Sequence, residues 1–518
     1  MVSAYPALTV RGGQGSRIKL TYAEALYDAK GKKGDRDVIA DRTPRGIADT
    51  FIADGNQRVF APLWWRTWRF AELDITTAAD PLDLVRFDVA ETGYPFQAIG
   101  HFRSSDATLD RIWAVGWRTA QVDAHETYMD SAYWEQLQYS GDTRLQMLIS
   151  YAVSGDARLA EQAIEAFAHS GGSGSLLQGA WPSRGDNVIA TFSLMWIGML
   201  HDWWMQQPDT KVVARNLGAM RRILDWYAQG RGPDGLLVKN PQWNFVDWVG
   251  QSSLDRSVFP SYSKTGESCL TSVLYLGALQ QATDLEGALG EQARSRAYRT
   301  DADAMRQAIS RRCWVEQRGL FADNPDGKTF SQQMNALAVL YDVVERGPGR
   351  QILDRITVPD KGIDAPDGMF PSSYYFAWYL AHGYNHVGLA DRYHALVGTW
   401  RDLLDLHYTT WPEKRGDTRS DTHAWSAHPT ADLLGFVAGI RSAAPGYRSV
   451  RIAPSLGTLT ALDASAATPN GPVRVRYRVT STSLIARIER PAGLAGTFEW
   501  NGHSLPLRHP VSRFTLPR

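Results

Sequence analysis

Ser104-Ser105-Asp106-Ala107-Thr108-Leu109-Asp110-Arg111-Ile112-Trp113-Ala114-Val115 is the stretch where this chain changes its period. Upstream, β-branched and aromatic residues come in short runs. From Leu109, Ile112, Trp113 and Val115 onward, apolar residues recur at helical spacing. Amphipathic stretches then follow near residues 107–121, 143–153, 157–169, 192–206, 210–228, 268–283, 286–312, 331–345, 348–356, 372–383, 388–407 and 430–440. No repeat of fixed period connects them, which disfavours an open solenoid. A closed ring of helix pairs, with aromatic-rich loops gathered at one end, is the expected arrangement.

Both flanks of this ring read as β. On the N-terminal side, residues 7–10, 17–22, 58–60, 64–73 and 84–88 are short strand-like runs, separated by Gly12-Gly13 and by residues 28–34. Gly12-Gly13-Gln14-Gly15 is a turn in this setting, not a nucleotide loop. Trp64-Trp65-Arg66-Thr67-Trp68-Arg69-Phe70 is read as one strand, with Trp65, Thr67 and Arg69 on one face and Trp64, Arg66, Trp68 and Phe70 on the other. On the C-terminal side, Val473-Arg474-Val475-Arg476-Tyr477-Arg478-Val479 alternates strictly, with three arginines outward and four apolar side chains inward. The expected fold class is therefore multidomain α+β. An N-terminal β-sandwich spans 1–100, the helical ring 101–442, and a C-terminal β-sandwich 443–518, the last a support and not the site of chemistry.

Composition narrows the function. The chain has 518 residues with 55 basic and 55 acidic side chains, so its net charge is zero. No electrostatic footprint for nucleic acid or an anionic membrane follows from that balance. No apolar run approaches the roughly 20 residues that span a bilayer. Cys269 and Cys313 are too few for a disulfide scaffold or a cysteine-rich metal site. The first residues lack a basic segment followed by an apolar one, so no secretion signal is recognisable. The cytoplasm is favoured, with a trimmed form of a longer chain as the other reading. The 19 Trp and 21 Tyr exceed what a core needs and suit a pocket for sugars or other half-apolar ligands. A P-loop, a dinucleotide-binding βαβ unit and a GxSxG elbow are all missing.

Two segments carry acids among aromatics. In residues 126–144, Asp130, Glu135 and Asp142 stand among Tyr128, Tyr133, Trp134 and Tyr139. Asp142 is either an N-cap for the following helix or a site residue. Glu135 lies between Trp134 and Gln136. Aromatic crowding there would desolvate it and keep it protonated, as a general acid requires, while a buried hydrogen-bonding glutamate is the plainer alternative. The second segment is Thr409-Thr410-Trp411-Pro412-Glu413-Lys414-Arg415, followed by Ser420-Asp421-Thr422-His423-Ala424-Trp425-Ser426-Ala427-His428-Pro429. Glu413 is either a solvated loop glutamate or the second carboxylate that glycoside hydrolysis needs. His423 and His428 lack a third convergent metal ligand and are better read as hydrogen-bonding or core histidines. Between these segments, Trp181 with Asp186 and Trp243 with Asp247 and Trp248 offer rings for stacking and carboxylates for hydroxyls. The alternative is that these tryptophans plug the ring's core. Asn335 is a further inward-facing candidate.

Asp130, Tyr133-Trp134-Glu135-Gln136-Leu137-Gln138-Tyr139 and Gly141-Asp142 together resemble the acidic signature of bacterial α-L-rhamnosidases of glycoside hydrolase family 78. One branch of that family has an Asp, a Glu five residues on, and a Gly-Asp whose Asp is seven beyond. Residues 64–70, 244–248, 420–425, Pro445-Gly446-Tyr447 and Val450-Arg451-Ile452-Ala453-Pro454 also look like family landmarks, so the resemblance spans essentially the whole chain. It implies an (α/α)6 barrel between β-sandwiches and an exo-acting, inverting release of terminal L-rhamnose from glycosides or polysaccharides. Glu135 is then the general acid and Glu413 the base that activates water, about 6.5–9.5 Å apart. Asp130, Trp134, Asp142, Trp181, Asp186, Trp243, Asp247, Trp248, His423 and Trp425 are the implied substrate-binding residues, and the resemblance implies neither cofactor nor metal. Where many members carry Arg-Asp before the acid, this chain has Tyr133-Trp134, which replaces charge by aromatic surface. The additional N-terminal sandwich domains common in the family are missing, as in a compact member or a fragment. Two alternatives stay open: a related exo-enzyme acting on another L-sugar or uronate linkage by hydrolysis or elimination, and a non-catalytic carbohydrate-binding protein.

Overall fold

Asp106 lies two residues past His101–Ser104, the last strand before the ring. Its side chain accepts from the Thr108 amide and caps α1 (Ala107–Val122). In this structure, a computed structural model that describes residues 1–171, 174–249, 259–416 and 418–518, the helices then alternate between an outer and an inner layer. After α1 come α2 (Ser140–Val153), α3 (Arg158–Ser170), α4 (Ala190–Gln206), α5 (Lys211–Gln229), α6 (Cys269–Ala288) and α7 (Gln292–Cys313). They are followed by α8 (Gln332–Leu340), α9 (Arg346–Arg355), α10 (Ala377–His386), α11 (Tyr393–Leu396), α12 (Thr399–Asp405) and α13 (Pro429–Asp432), the last continuing into a π turn at Leu433–Val437.

Sequence decides which layer each helix joins. In α4 every residue from Ala190 to Leu200 is buried, and in α6 every residue from Cys269 to Leu279, so both are inner helices. In α5 only a stripe is buried (Val212, Val213, Asn216, Leu217, Ala219, Met220, Ile223, Leu224, Tyr227), which marks an outer helix. The inner helices α2, α4, α6, α8 and α10 pack in succession, and α13 closes the ring against α1 and α2. Closure needs Gly116, because a Cβ there would lie 2.2 Å from Thr430 Oγ1. The single helix expected over 388–407 is broken into a 3₁₀ turn, α11 and α12, with Val397-Gly398 between the last two. Cys269 and Cys313 form a disulfide that ties the start of α6 to the end of α7.

The N-terminal β region is two main sheets, beside a small two-stranded one formed by Leu26–Tyr27 and Thr43–Pro44. Val2–Gly12 pairs with Gly55–Phe60, Arg66–Trp68 and Leu82–Glu91, while Arg17–Ala23 lies between Ala48–Ile52 and Phe70–Thr76. The strand expected over 64–70 is therefore split. Arg66–Trp68 belongs to one sheet, Phe70–Thr76 to the other, and Arg69 marks the crossover. The reason is packing: Trp65 and Trp68 are both buried, which strict alternation would forbid. Trp65 stacks on His125 at 3.9 Å, and Trp68 meets Tyr22 at 5.3 Å.

The C-terminal region is also two sheets, and Val473–Val479 shows the alternation its sequence demands. Two of its strands come from the edges of the helical ring. His101–Ser104 pairs with Ala461–Ala466, and Ile440–Ser442 with Ser449–Ile452. No helix among the described residues is long and apolar enough to cross a membrane.

Candidate active site

The loop that follows α1 is tied into a compact hook. Asp130 and Leu137 exchange bonds across it: the Asp130 amide donates to the Leu137 carbonyl (2.8 Å), and the Leu137 amide to Asp130 Oδ1 (3.0 Å). The Gln136 amide returns to the Ser131 carbonyl (3.0 Å), with Gln136 itself at φ 56°. Glu135 sits at the tip of this hook. Its Oε2 accepts from Tyr139 Oη (2.9 Å), and its Oε1 holds Arg419 Nη2. Glu135 is thus paired with a guanidinium and partly exposed, and crowded aromatics do not enclose it.

Tyr133 and Trp134 explain why. Tyr133 Oη donates to the Tyr22 carbonyl and accepts from the Ile47 amide, while Trp134 Nε1 donates to Glu24 Oε2 (2.8 Å) and the Arg419 carbonyl (2.9 Å). Both rings dock the hook onto the N-terminal sheets and turn away from Glu135.

Asp142 lies in the first turn of α2, but Tyr139 holds the N-cap position, so Asp142 is not the cap. Its carboxylate lies 3.2 Å from His423 Nε2. His423 is held by the Trp411 carbonyl (2.8 Å), and the next amide, Ala424, donates to the Asp130 carbonyl (3.0 Å). Trp425 Nε1 donates to the Glu413 carbonyl (2.8 Å), and the Glu413 amide to the Ser420 carbonyl (3.1 Å). These bonds bring the two acidic segments together.

The third wall is residues 243–249, laced onto the start of α4. The Ala190 amide donates to the Trp243 carbonyl (2.9 Å), and Thr191 Oγ1 to the Phe245 carbonyl. Asp130, Glu135, Tyr139, Asp142, Ile189, Phe192, Trp243, Phe245, Trp248, Glu413, His423 and Trp425 thereby line one cavity of about 70 Å³. Trp243 and Trp248 are 49% and 37% exposed at its mouth, so they do not plug the ring. Trp425 forms the floor, parallel to Phe245 and stacked on Tyr375 at 4.8 Å.

Four of the expected substrate-binding residues lie outside the cavity wall. Trp134 faces Glu24. Trp181 exchanges backbone and side-chain bonds with Gln138, and Asp186 is exposed beside Gln178. Asp247 points the other way from Trp248, into a buried set of donors: the Ser373 amide and hydroxyl and Gln333 Nε2. Asn335 and His428 are also structural. Asn335 Oδ1 accepts from the Phe321 amide and its Nδ2 donates to the Phe321 carbonyl, while His428 bridges Asp432 and the Tyr374 carbonyl. Phe192, Phe245 and Arg419 escaped the sequence reading. Phe245 stands inside the Trp243–Trp248 segment and could have been found there, whereas Arg419 falls in the gap between the two stretches around Glu413 and His423.

A buried ionic cluster anchors the Arg419–Asp421 strip. Asp421 receives Lys33 Nζ (2.9 Å) and Arg36 Nε (3.0 Å), its amide donates to Glu24 Oε2 (3.1 Å), and Lys33 Nζ also donates to the Arg419 carbonyl (2.7 Å). A larger cavity of about 430 Å³ lies at the opposite ends of the inner helices, but its acids are already spent on partners: Asp202 on Arg144 (2.8 Å) and Asp432 on His428 (2.6 Å). No group of three or more His, Cys, Asp or Glu side chains among the described residues is arranged to hold a metal ion.

Burial dominates the electrostatics. It raises Asp130 to about 7, against the pull of His423 and with help from Asp142 and Glu135. Asp247 is likewise raised to about 7 and Asp323 to about 8, each against hydrogen bonds that favour the ionised form. For His423 burial acts downward, but Asp142, Asp130 and Glu413 outweigh it and lift the imidazole to about 9. The raised acids keep protons in the folded state that the unfolded chain releases above about pH 4, so their contribution falls as pH rises toward 7–8. His423 adds stability that is full below about pH 6.5 and lost as pH rises through 9. Both run the same way. The urea midpoint is expected to decline steadily from pH 5 to pH 9, and Asp323→Asn, which leaves Ser331 an acceptor, to flatten that slope. A midpoint that rises with pH would contradict this account.

Comparison with known proteins places the chain. Residues 97–357 match the family model of the bacterial alpha-L-rhamnosidase 6 hairpin glycosidase domain, and residues 439–499 that of the bacterial alpha-L-rhamnosidase C-terminal domain. Among solved structures, it is similar to the GH78 family rhamnosidase of Bacillus sp. GL1, at 22% identity and a TM-score of 0.84 over 96% of this chain and 52% of that one. It is similar also to the alpha-L-rhamnosidase from Dictyoglumus thermophilum (16%, 0.78, 96% and 56%) and to the Streptomyces avermitilis alpha-L-rhamnosidase complexed with L-rhamnose (15%, 0.77, 100% and 50%). At such identities the likeness is one of fold, and this chain spans about half the length of these relatives. A search of curated protein sequences finds no match.

Proposed function

We propose, from the premise that this chain belongs to the bacterial alpha-L-rhamnosidase 6 hairpin glycosidase family, that it is an exo-acting, inverting α-L-rhamnosidase. The observation that carries the reading is that Glu135 and Glu413, far apart in sequence, face one aromatic-walled cavity. Glu135 is the general acid, oriented by Tyr139 toward the leaving oxygen. Glu413 is the base: among the described residues no protein group donates to its carboxylate, which leaves it free to hold the attacking water.

The remaining wall suits a 6-deoxy sugar. Asp142, His423 and Asp130 offer polar atoms for hydroxyls. Of these, His423 Nδ1 is buried with no hydrogen-bond partner among the described residues. Trp243, Trp248 and Trp425 present ring faces, and Ile189 with Phe192 forms an apolar surface for the methyl group.

Proton NMR of the hydrolysis of 4-nitrophenyl α-L-rhamnopyranoside tests both parts of this reading. The β-anomer of L-rhamnose is expected first, followed by mutarotation, because attack from the face opposite the leaving group inverts C1. The α-anomer appearing first would overturn inversion. A folded protein that releases no rhamnose from this substrate or from rhamnosyl disaccharides would overturn the activity.

A further inference from the structure

We propose that Arg419 makes the leaving-group side of this pocket a carboxylate-binding subsite, so that the preferred substrates carry rhamnose on a uronic acid residue. The inference rests on the reading of Glu135 as the proton donor.

Each oxygen of Glu135 is engaged: Oε2 by Tyr139, Oε1 by Arg419. Oε1 holds either the guanidinium or a proton directed at the glycosidic oxygen, not both. Turnover therefore requires Arg419 to leave. The main chain of Arg419 is fixed, because Lys33 Nζ and Trp134 Nε1 both donate to its carbonyl (2.7 and 2.9 Å) and the Asp421 amide is held by Glu24. Only the side chain is free to swing. It is half exposed at the rim, with its guanidinium 5.5 Å over the Trp134 ring. Nearby, Lys414 Nζ lies 5.3 Å over the ring of Trp248 and has no ion-pair partner among the described residues. The rim thus carries two cations on indole platforms, one of which already grips a carboxylate through a charge-assisted bond.

A substrate carboxylate at this rim offers Arg419 an exchange of one anion for another. Charge is conserved, and Glu135 is released to take a proton from solvent. That proton passes to the glycosidic oxygen as the C1–O bond breaks, water adds to C1, and its proton goes to Glu413 and back to solvent. A neutral leaving group gives Arg419 nothing in return for Glu135. Binding of the acidic residue and arming of the acid are then one event, which is how binding energy away from C1 is turned into rate.

The test compares kcat/KM on α-L-rhamnosyl-(1→4)-D-glucuronic acid with that on its methyl ester, for wild type and for Arg419→Met, with circular dichroism confirming that the variant folds. Wild type is expected to favour the free acid by roughly 10- to 100-fold, the range of one charged hydrogen bond, and Arg419→Met to bring the ratio near one. Arg419→Lys should keep an intermediate ratio, which a merely structural role would not produce. Equal rates on acid and ester in wild type, or an unchanged ratio in Arg419→Met, would overturn the subsite. A wild type inert toward both rhamnosides overturns instead the rhamnosidase reading beneath it.

Discussion

Glu135→Gln is expected to lose about 10²- to 10⁴-fold in kcat/KM on a rhamnosyl disaccharide, the usual contribution of general acid catalysis. The loss should shrink on 4-nitrophenyl α-L-rhamnopyranoside, because nitrophenolate departs without needing a proton. Glu413→Gln is expected to lose as much, and equally on both substrates, because activation of water is required whatever the leaving group. The contrast between the two variants assigns the roles without a ligand complex. Both glutamines keep the shape of the side chain, and both positions are only partly buried, so the fold should survive. Wild-type rates in Glu135→Gln on both substrates would exclude it as the acid. A leaving-group dependence in Glu413→Gln would exchange the two assignments.

Asp421→Ala is expected to cost about 3–5 kcal/mol, as breaking a buried ion pair does when one partner is removed. Lys33, Arg36 and Asp421 are only 3%, 6% and 3% exposed, so the change leaves two cations in the interior with no counter-ion of their own. Glu24 makes the loss depend on pH. Its carboxyl is raised to about 7 by burial and by the charge of Asp421. Without Asp421 that repulsion vanishes, and Glu24 ionises more readily beside Lys33. Urea unfolding at two pH values should therefore show a smaller loss at pH 8 than at pH 5.5. Activity is expected to fall as well, since the strip that carries Arg419 and bonds the Glu413 amide loses its anchor. A variant as stable as wild type at both pH values would show that this cluster does not hold the strip.

The same cluster bears on how the N-terminal sheets serve the site. They contribute no residue to the cavity wall, yet Glu24, Lys33 and Arg36 hold Asp421 and the Arg419 carbonyl, while Tyr22 and Ile47 hold Tyr133. The Tyr133-Trp134 pair, which as sequence suggested an aromatic lining, is a docking surface for those sheets. A charged pair at these positions would face the buried Tyr22 carbonyl and Glu24 carboxyl.

Much of this protein follows from residues near one another in the chain. The helical ring was legible because apolar spacing around Leu109 and Ile112 is a property of consecutive residues, as is the alternation of Val473–Val479. So was the Asp130, Glu135, Asp142 set, since a short hook and the first turn of α2 keep all three on one cavity. What tertiary structure alone decided is where side chains separated by hundreds of residues meet, and which way each one points. Nothing in the sequence near Asp247 tells that Ser373 and Gln333 will take both its oxygens, or near Trp134 that Glu24 will claim its indole N–H. Arg419 on Glu135, the crossover at Arg69 and the pairing of His101–Ser104 with the C-terminal sheet are decisions of the same kind. Local spacing sets the period of an element and the face a residue occupies. The direction of a buried polar side chain is set by whichever distant donor or acceptor satisfies it, because leaving it unsatisfied costs more than the element's own preference supplies.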